Sequence, residues 1–91
     1  MKFSLLLSLY YKESPLALDQ CFLSIWQEQS IHPNEIILVL DGPIGIELSQ
    51  CVDKWQKLIG HLLKVLPLEH NVGLGKALNL GLKHCSNEWV F

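Results

Sequence analysis

The chain contains no arginine: its seven cationic residues are all lysine, set against nine acids for a formal net charge of -2 over 91 residues. Proteins that read nucleic acid lean on arginine for bidentate contacts to phosphate and guanine, so nucleic acid is excluded as the expected partner. The three cysteines, Cys21, Cys51 and Cys85, are an odd number, widely spaced and without a C-x-x-C pair. That excludes a disulfide framework and a cysteine zinc site, and reads instead as small apolar side chains in a reducing cytoplasm. No apolar run approaches the eighteen or so residues that a membrane span needs. Met1-Lys2 followed by Phe3–Leu9 has the outline of a secretory signal, but the run is short, holds two serines and leads into Tyr10-Tyr11-Lys12-Glu13, so it reads as a first strand.

Several chemical signatures fail position by position. Gly73-Leu74-Gly75 begins like G-x-G-x-x-G, but Leu78 stands where the third glycine belongs and the motif follows the third strand, not the first. Gly75-Lys76 is not a phosphate-binding P-loop, because His70 and Ala77 occupy the positions of its first glycine and its hydroxyl residue. His32, His61, His70 and His84 share no metal-ligand spacing and read as surface or loop residues. No G-x-S-x-G or similar nucleophile signature occurs.

What is present is hydrophobic, at 49% of residues, and organised around Glu35-Ile36-Ile37-Leu38-Val39-Leu40-Asp41-Gly42-Pro43. Five consecutive branched aliphatics show no one-sided alternation, so a strand there is buried on both faces, as in a parallel sheet clothed by helices. Phe3–Tyr10 reads as an earlier strand, Leu62–Leu68 as a third and Trp89–Phe91 as the opening of a fourth. Ser14 and Pro15 supply an N-cap and a first helical residue, and Leu18, Cys21, Phe22 and Ile25 line one face of a helix running to about Gln29. A second helix is expected over Ile46–Ile59, with Leu48, Cys51, Val52, Trp55, Leu58 and Ile59 inward, ended by Gly60. A third is expected over Leu74–Cys85 with Leu74, Leu78, Leu82 and Cys85 inward. The order β-α-β-α-β-α-β with right-handed crossovers predicts an α/β fold: a parallel sheet in a three-layer α/β/α arrangement, one domain over residues 1–91.

In such sheets ligands bind beyond the carboxyl ends of the strands. Tyr10 and Tyr11 follow the first strand, Asp41 the second, and Asn71 with Gly73 the third, so all converge on one edge. A ring to stack on a base, an acid to accept from a base or ribose and amides at a helix start suit a nucleotide. The plainer alternatives are that Asp41-Gly42-Pro43 is only a turn and Tyr10 only a strand-end aromatic.

Phe3–Tyr10, Glu35–Pro43 and Asn71–Leu82 together resemble family 2 glycosyltransferases of GT-A fold, particularly bacterial enzymes of exopolysaccharide and lipopolysaccharide assembly such as those of amylovoran synthesis. The specific string is Asn71-x-Gly73-x-x-x-Ala77-x-Asn79-x-Gly81, whose five matches would coincide by chance roughly once in a million registers. The resemblance covers the opening portion of the family's domain, its Rossmann-like nucleotide-binding half. It implies that Tyr10 lies by the base of a nucleotide-sugar donor, a UDP-sugar above all, that Asp41 contacts base or ribose, and that the Asn71–Asn79 region borders the nucleotide. Lys76 could reach a phosphate or be a solvated helix lysine.

The chain departs from the family where the usual P-x-Y-N is Ser8-Leu9-Tyr10-Tyr11 and the usual acid pair is Leu40-Asp41. The resemblance also implies a divalent metal, Mg or Mn, on an Asp-x-Asp expected just after Phe91, and a catalytic base further on. No catalytic or metal residue is therefore assigned within this chain, and the fragment alone is expected to be inactive. The implied partners are the donor and a glycan or lipid-linked acceptor, at a cytoplasmic location peripheral to the inner membrane face, with self-association through an exposed sheet edge. The competing expectation is a non-catalytic α/β binding or interaction module.

Overall fold

A computed structural model describes residues 2–27 and 30–91. Four strands, β1 (Phe3–Leu9), β2 (Glu35–Leu40), β3 (Leu63–Pro67) and β4 (Trp89–Val90), form one sheet in the order β3-β2-β1-β4, and every pairing is parallel. Three helices connect them: α1 (Pro15–Phe22), α2 (Ile46–Ile59) and α3 (Leu74–Leu82). The α/β class, the element order and the parallel sheet are those expected of the Rossmann-like half of a GT-A domain.

β2 lies between β1 and β3, with Ile36–Val39 buried throughout, as its unbroken aliphatic run requires. Its side chains alternate between two layers. Ile36 and Leu38 join Leu9 and Leu63 against α1 and α2, where Phe22 and Trp55 stack at 5.3 Å between ring centroids. Ile37 and Val39 face α3 and meet Ala77.

α1 begins as its sequence dictates: Ser14 is the N-cap, its hydroxyl accepting from the Ala17 amide at 3.0 Å, and Pro15 is the first helical residue. Leu18 and Phe22 are buried while Cys21 and Ile25 are half-buried. After Phe22 the helix widens into a π-helical turn over Leu23–Gln27; its expected end at Gln29 lies outside the described residues. α2 runs over the expected residues, and Gly60 closes it at φ 84° with its amide on the Gln56 carbonyl. Leu58, expected inward, is 59% exposed, because Trp55 and Ile59 fill the sheet-facing stripe on either side of it.

α3 corrects its expected face and length. Leu74 and Leu82 are exposed, and the buried positions are Ala77 and Gly81; the helix stops at Leu82, with Cys85 half-buried beyond it. The reason is close approach. A Cβ on Gly81 would lie 2.5 Å from Leu6 Cδ1 and 2.6 Å from Val39 Cγ2, so the helix rests on the sheet through its smallest residues, Leu78 is half-buried, and Leu74 and Leu82 turn to solvent. β4 is two residues long, yet its backbone bonding continues: the Phe91 amide donates to Ser4 O at 3.0 Å and the Leu6 amide to Phe91 O at 2.9 Å. All four histidines are exposed, and the three cysteines are free thiols.

Candidate functional site

β1 and β2 end side by side, the Asp41 amide donating to Leu9 O at 2.8 Å. Beyond β1 the chain turns at Tyr10-Tyr11, whose rings pack edge to face at 5.9 Å. Tyr10 remains 39% exposed, an aromatic face open to solvent at the strand end.

Beyond β2 the chain descends onto the loop that precedes α3. Asp41 is buried, at 4% exposure. Its Oδ1 accepts from the Val72 amide at 2.7 Å and its Oδ2 from the Gly73 amide at 3.1 Å; in return Asn71 Nδ2 donates to the Asp41 carbonyl at 3.2 Å. Gly42 permits this contact twice over. Its φ is 89°, and a Cβ there would stand 2.8 Å from the Asn71 nitrogen. Gly73, at φ 93°, then starts α3 without any side-chain cap. The first amides of that helix therefore present partial positive charge at the sheet edge.

Between these ends lies an open cleft of about 650 Å³, walled by Tyr10, Tyr11, Asp41, Asn71, Gly73 and Leu74. Four of the residues singled out in the sequence, Tyr10, Asp41, Asn71 and Gly73, are thus brought together. Lys76 and Asn79 are exposed on α3 and do not line the cleft. Sequence reasoning missed Ser8, Lys12 and Glu13, which also line it; their signal was their position at the end of β1.

Among the described residues no three His, Cys, Asp or Glu side chains cluster. The acids at the cleft are Asp41, with both oxygens engaged by main-chain amides, and Glu13.

A second buried acid went unnoticed in the sequence. Glu35, 4% exposed at the start of β2, accepts from Ser4 Oγ at 2.6 Å, Lys64 Nζ at 2.9 Å, Ser86 Oγ at 3.2 Å and the Ser86 amide. Burial pushes its carboxyl upward, but the bonds from Ser4, the Ser86 amide and Lys64 together outweigh burial and hold it at about 2. This cluster sits at the opposite end of the sheet from the cleft. Its role is to tie the turn after α3 to β1, β2 and β3.

A cleft at the carboxyl edge of a wholly parallel sheet, floored by a strand-end acid and a glycine-started helix, is the arrangement of a Rossmann-like α/β fold. Within that class the chain belongs to glycosyl transferase family 2, whose model matches residues 8–91. It is 47% identical over 88 residues to the amylovoran biosynthesis glycosyltransferase AmsE of Erwinia amylovora, covering 97% of this chain and 32% of that protein. It is 39% identical over 89 residues to the UDP-Gal:alpha-D-GlcNAc-diphosphoundecaprenol beta-1,3-galactosyltransferase of Escherichia coli, covering 98% and 31%. An uncharacterized glycosyltransferase of Haemophilus influenzae is 46% identical over 91 residues, covering 100% and 33%. The chain thus spans about a third of the length of the curated relatives it matches.

Proposed function

We propose that this chain is the nucleotide-sugar-binding part of a longer glycosyltransferase of polysaccharide biosynthesis, one that moves a sugar from a UDP-sugar donor to a glycan or lipid-linked acceptor. The observation that carries the reading is the meeting of Tyr10, Asp41, Asn71 and Gly73 around one cleft at the carboxyl edge of the sheet. The Tyr10 ring stacks by the base, Asp41 lies in the floor of the cleft beneath base and ribose, and the start of α3 borders the nucleotide. The nature of the donor and acceptor is supported by the Escherichia coli relative, whose name specifies UDP-Gal and a diphosphoundecaprenol-linked sugar.

The contribution of these residues is binding and orientation. A divalent metal, when bound, would offset the charge that develops on the leaving diphosphate. Asp41 and Glu13 do not provide for one, so in this reading the acids that hold it belong to the remainder of the enzyme, and the 91 residues alone transfer no sugar. The enzyme works in the cytoplasm, peripheral to the inner membrane face where lipid-linked acceptors lie. No helix among the described residues is long and apolar enough to cross a membrane.

The test is calorimetry of UDP with Mg or Mn on the complete enzyme. Asp41→Ala weakens UDP at least tenfold while the thermal transition shows the protein still folded. Unchanged affinity would remove Asp41 from the nucleotide site.

A further inference from the structure

We infer that Asp41 has a second task, as the positioning residue for Asn71, and that Asn71 is the group that reads a hydrogen-bond donor on the bound nucleoside. The inference rests on the nucleotide reading of the cleft given above.

The geometry behind it is a reciprocal clasp between two loops far apart in sequence. The carboxylate of Asp41 accepts the amides of Val72 and Gly73, one on each oxygen, and so fixes the loop on both sides of Val72. The carbonyl of the same residue accepts from the Asn71 side chain. A carbonyl can only accept, so the Asn71 atom turned toward it is the amide nitrogen, and the side-chain oxygen is directed the other way. Asn71 is itself exposed and lines the cleft. Its Oδ1 makes no hydrogen bond among the described residues and is an acceptor of fixed orientation on the cleft wall. The ligand groups that match an oriented acceptor are donors: the imide N–H of a pyrimidine or a ribose hydroxyl. Gly42 closes the clasp from beneath, with no space for a Cβ against the Asn71 main-chain nitrogen. The loop is held from two directions before any ligand arrives, so binding does not have to order it.

The complete enzyme, with UDP as probe, tests this through a double-mutant cycle read by calorimetry, together with amide exchange at Val72 and Gly73 in the absence of UDP. Asp41→Asn keeps the shape of the side chain but leaves only one oxygen for two amides. It accelerates exchange at Val72 and Gly73 at least tenfold and weakens UDP about tenfold. Asn71→Ala weakens UDP by a similar factor and leaves exchange at Val72 and Gly73 within twofold of wild type. The double variant binds UDP no more than threefold less tightly than Asn71→Ala alone, because the path through Asn71 is already cut. Should Asp41→Asn not fold, Gly42→Ala displaces the same loop from below and takes its place in the cycle. If the losses multiply to about a hundredfold, or if Asp41→Asn weakens UDP with exchange unchanged, Asp41 acts by its own contact and the positioning role is overturned, while the nucleotide site stands. If wild type binds UDP and none of the variants weakens it, the nucleotide lies elsewhere and the site reading falls with the inference.

Discussion

Glu35→Gln separates the electrostatic from the steric part of the lower cluster. The carboxylate accepts from Ser4, Lys64 and both the amide and hydroxyl of Ser86, all while 4% exposed. Glutamine fills the same space but offers one oxygen, and its amide nitrogen is turned against groups that donate. Lys64, whose side chain is 54% exposed, is resolvated at little cost, so the loss concentrates on the Ser4 and Ser86 donors. A carboxyl that ionises at 4.5 when unfolded and at about 2 in the fold contributes about 3 kcal/mol to stability at neutral pH. Because the folded value is the lower one, that contribution is complete above pH 4.5 and is lost as pH falls toward 2. Against a total of roughly 5 to 15 kcal/mol for a small domain, it is a large share. Urea unfolding of wild type and Glu35→Gln at a series of pH values reads it directly. The variant is less stable by about 2 to 3 kcal/mol at pH 7, and the gap closes as the pH approaches 2, where the wild-type carboxyl also becomes neutral. Other carboxylates titrate in both proteins and cancel in the difference. A gap that stays constant over this range, or no gap at pH 7, would refute the reasoning.

Two further perturbations probe the helix layers. Gly81→Ala pits about 1 kcal/mol of gained helix propensity against the overpacking of a methyl set 2.5 Å from Leu6 and 2.6 Å from Val39, which costs about 1 to 3 kcal/mol. The net effect is a loss of about 1 kcal/mol, seen as a fall of roughly 5 °C in the thermal midpoint, and a stabilised variant would show that α3 does not rest on the sheet this closely. Asp19→Asn loosens α1 from α2. Hydrogen bonds from Lys54, Trp55 and Cys51, in that order of weight, hold the Asp19 carboxyl at about 2. The group is about one-third exposed, so solvent screening limits the loss to about 1 kcal/mol, with a shift in tryptophan fluorescence as the Trp55 indole exchanges a carboxylate acceptor for a neutral amide oxygen. Unaltered fluorescence and stability would remove Asp19 from the contact between the helices.

The parts of the fold legible in the sequence were those fixed by local chemistry. The continuous aliphatic run gave a strand buried on both faces, and Ser14-Pro15 and Gly60 marked helix ends where the backbone groups need them. The convergence of Tyr10, Asp41 and Asn71 followed from strand direction alone. What escaped was set by distant partners. Leucine spacing pointed to the wrong face of α3, because large apolar residues signal burial only where space exists, and here Ala77 and Gly81 take the sheet-facing positions. Nothing local marks Glu35 as buried: its neighbours in the cluster stand 29 to 51 residues away. Asn79 matched the family string and Lys76 stood within it at a position the string does not fix, but their places on the helix keep them out of the cleft wall.

These misses and successes join in β2, which begins on one buried acid and is followed at once by another. Glu35 grips the turn that leaves α3, Asp41 grips the loop that enters it, and between them Val39 and Ile37 receive Ala77 and Gly81. α3 is therefore fixed at both ends by charge-assisted hydrogen bonds and in the middle by close packing on the same strand. One rigid strand sets both the floor of the cleft, through Asp41, and the wall, through the loop at Asn71. The string Asn71-x-Gly73-x-x-x-Ala77-x-Asn79-x-Gly81 acquires a physical reading from this. Its Ala77 and Gly81, one helical turn apart, form the seat on which the helix lies, and Asn71 is the polar group that the loop before the helix presents to the cleft. A cleft built so is shaped before its ligand binds, and changes to the seat should reach the ligand through Asn71 even where they touch no part of it.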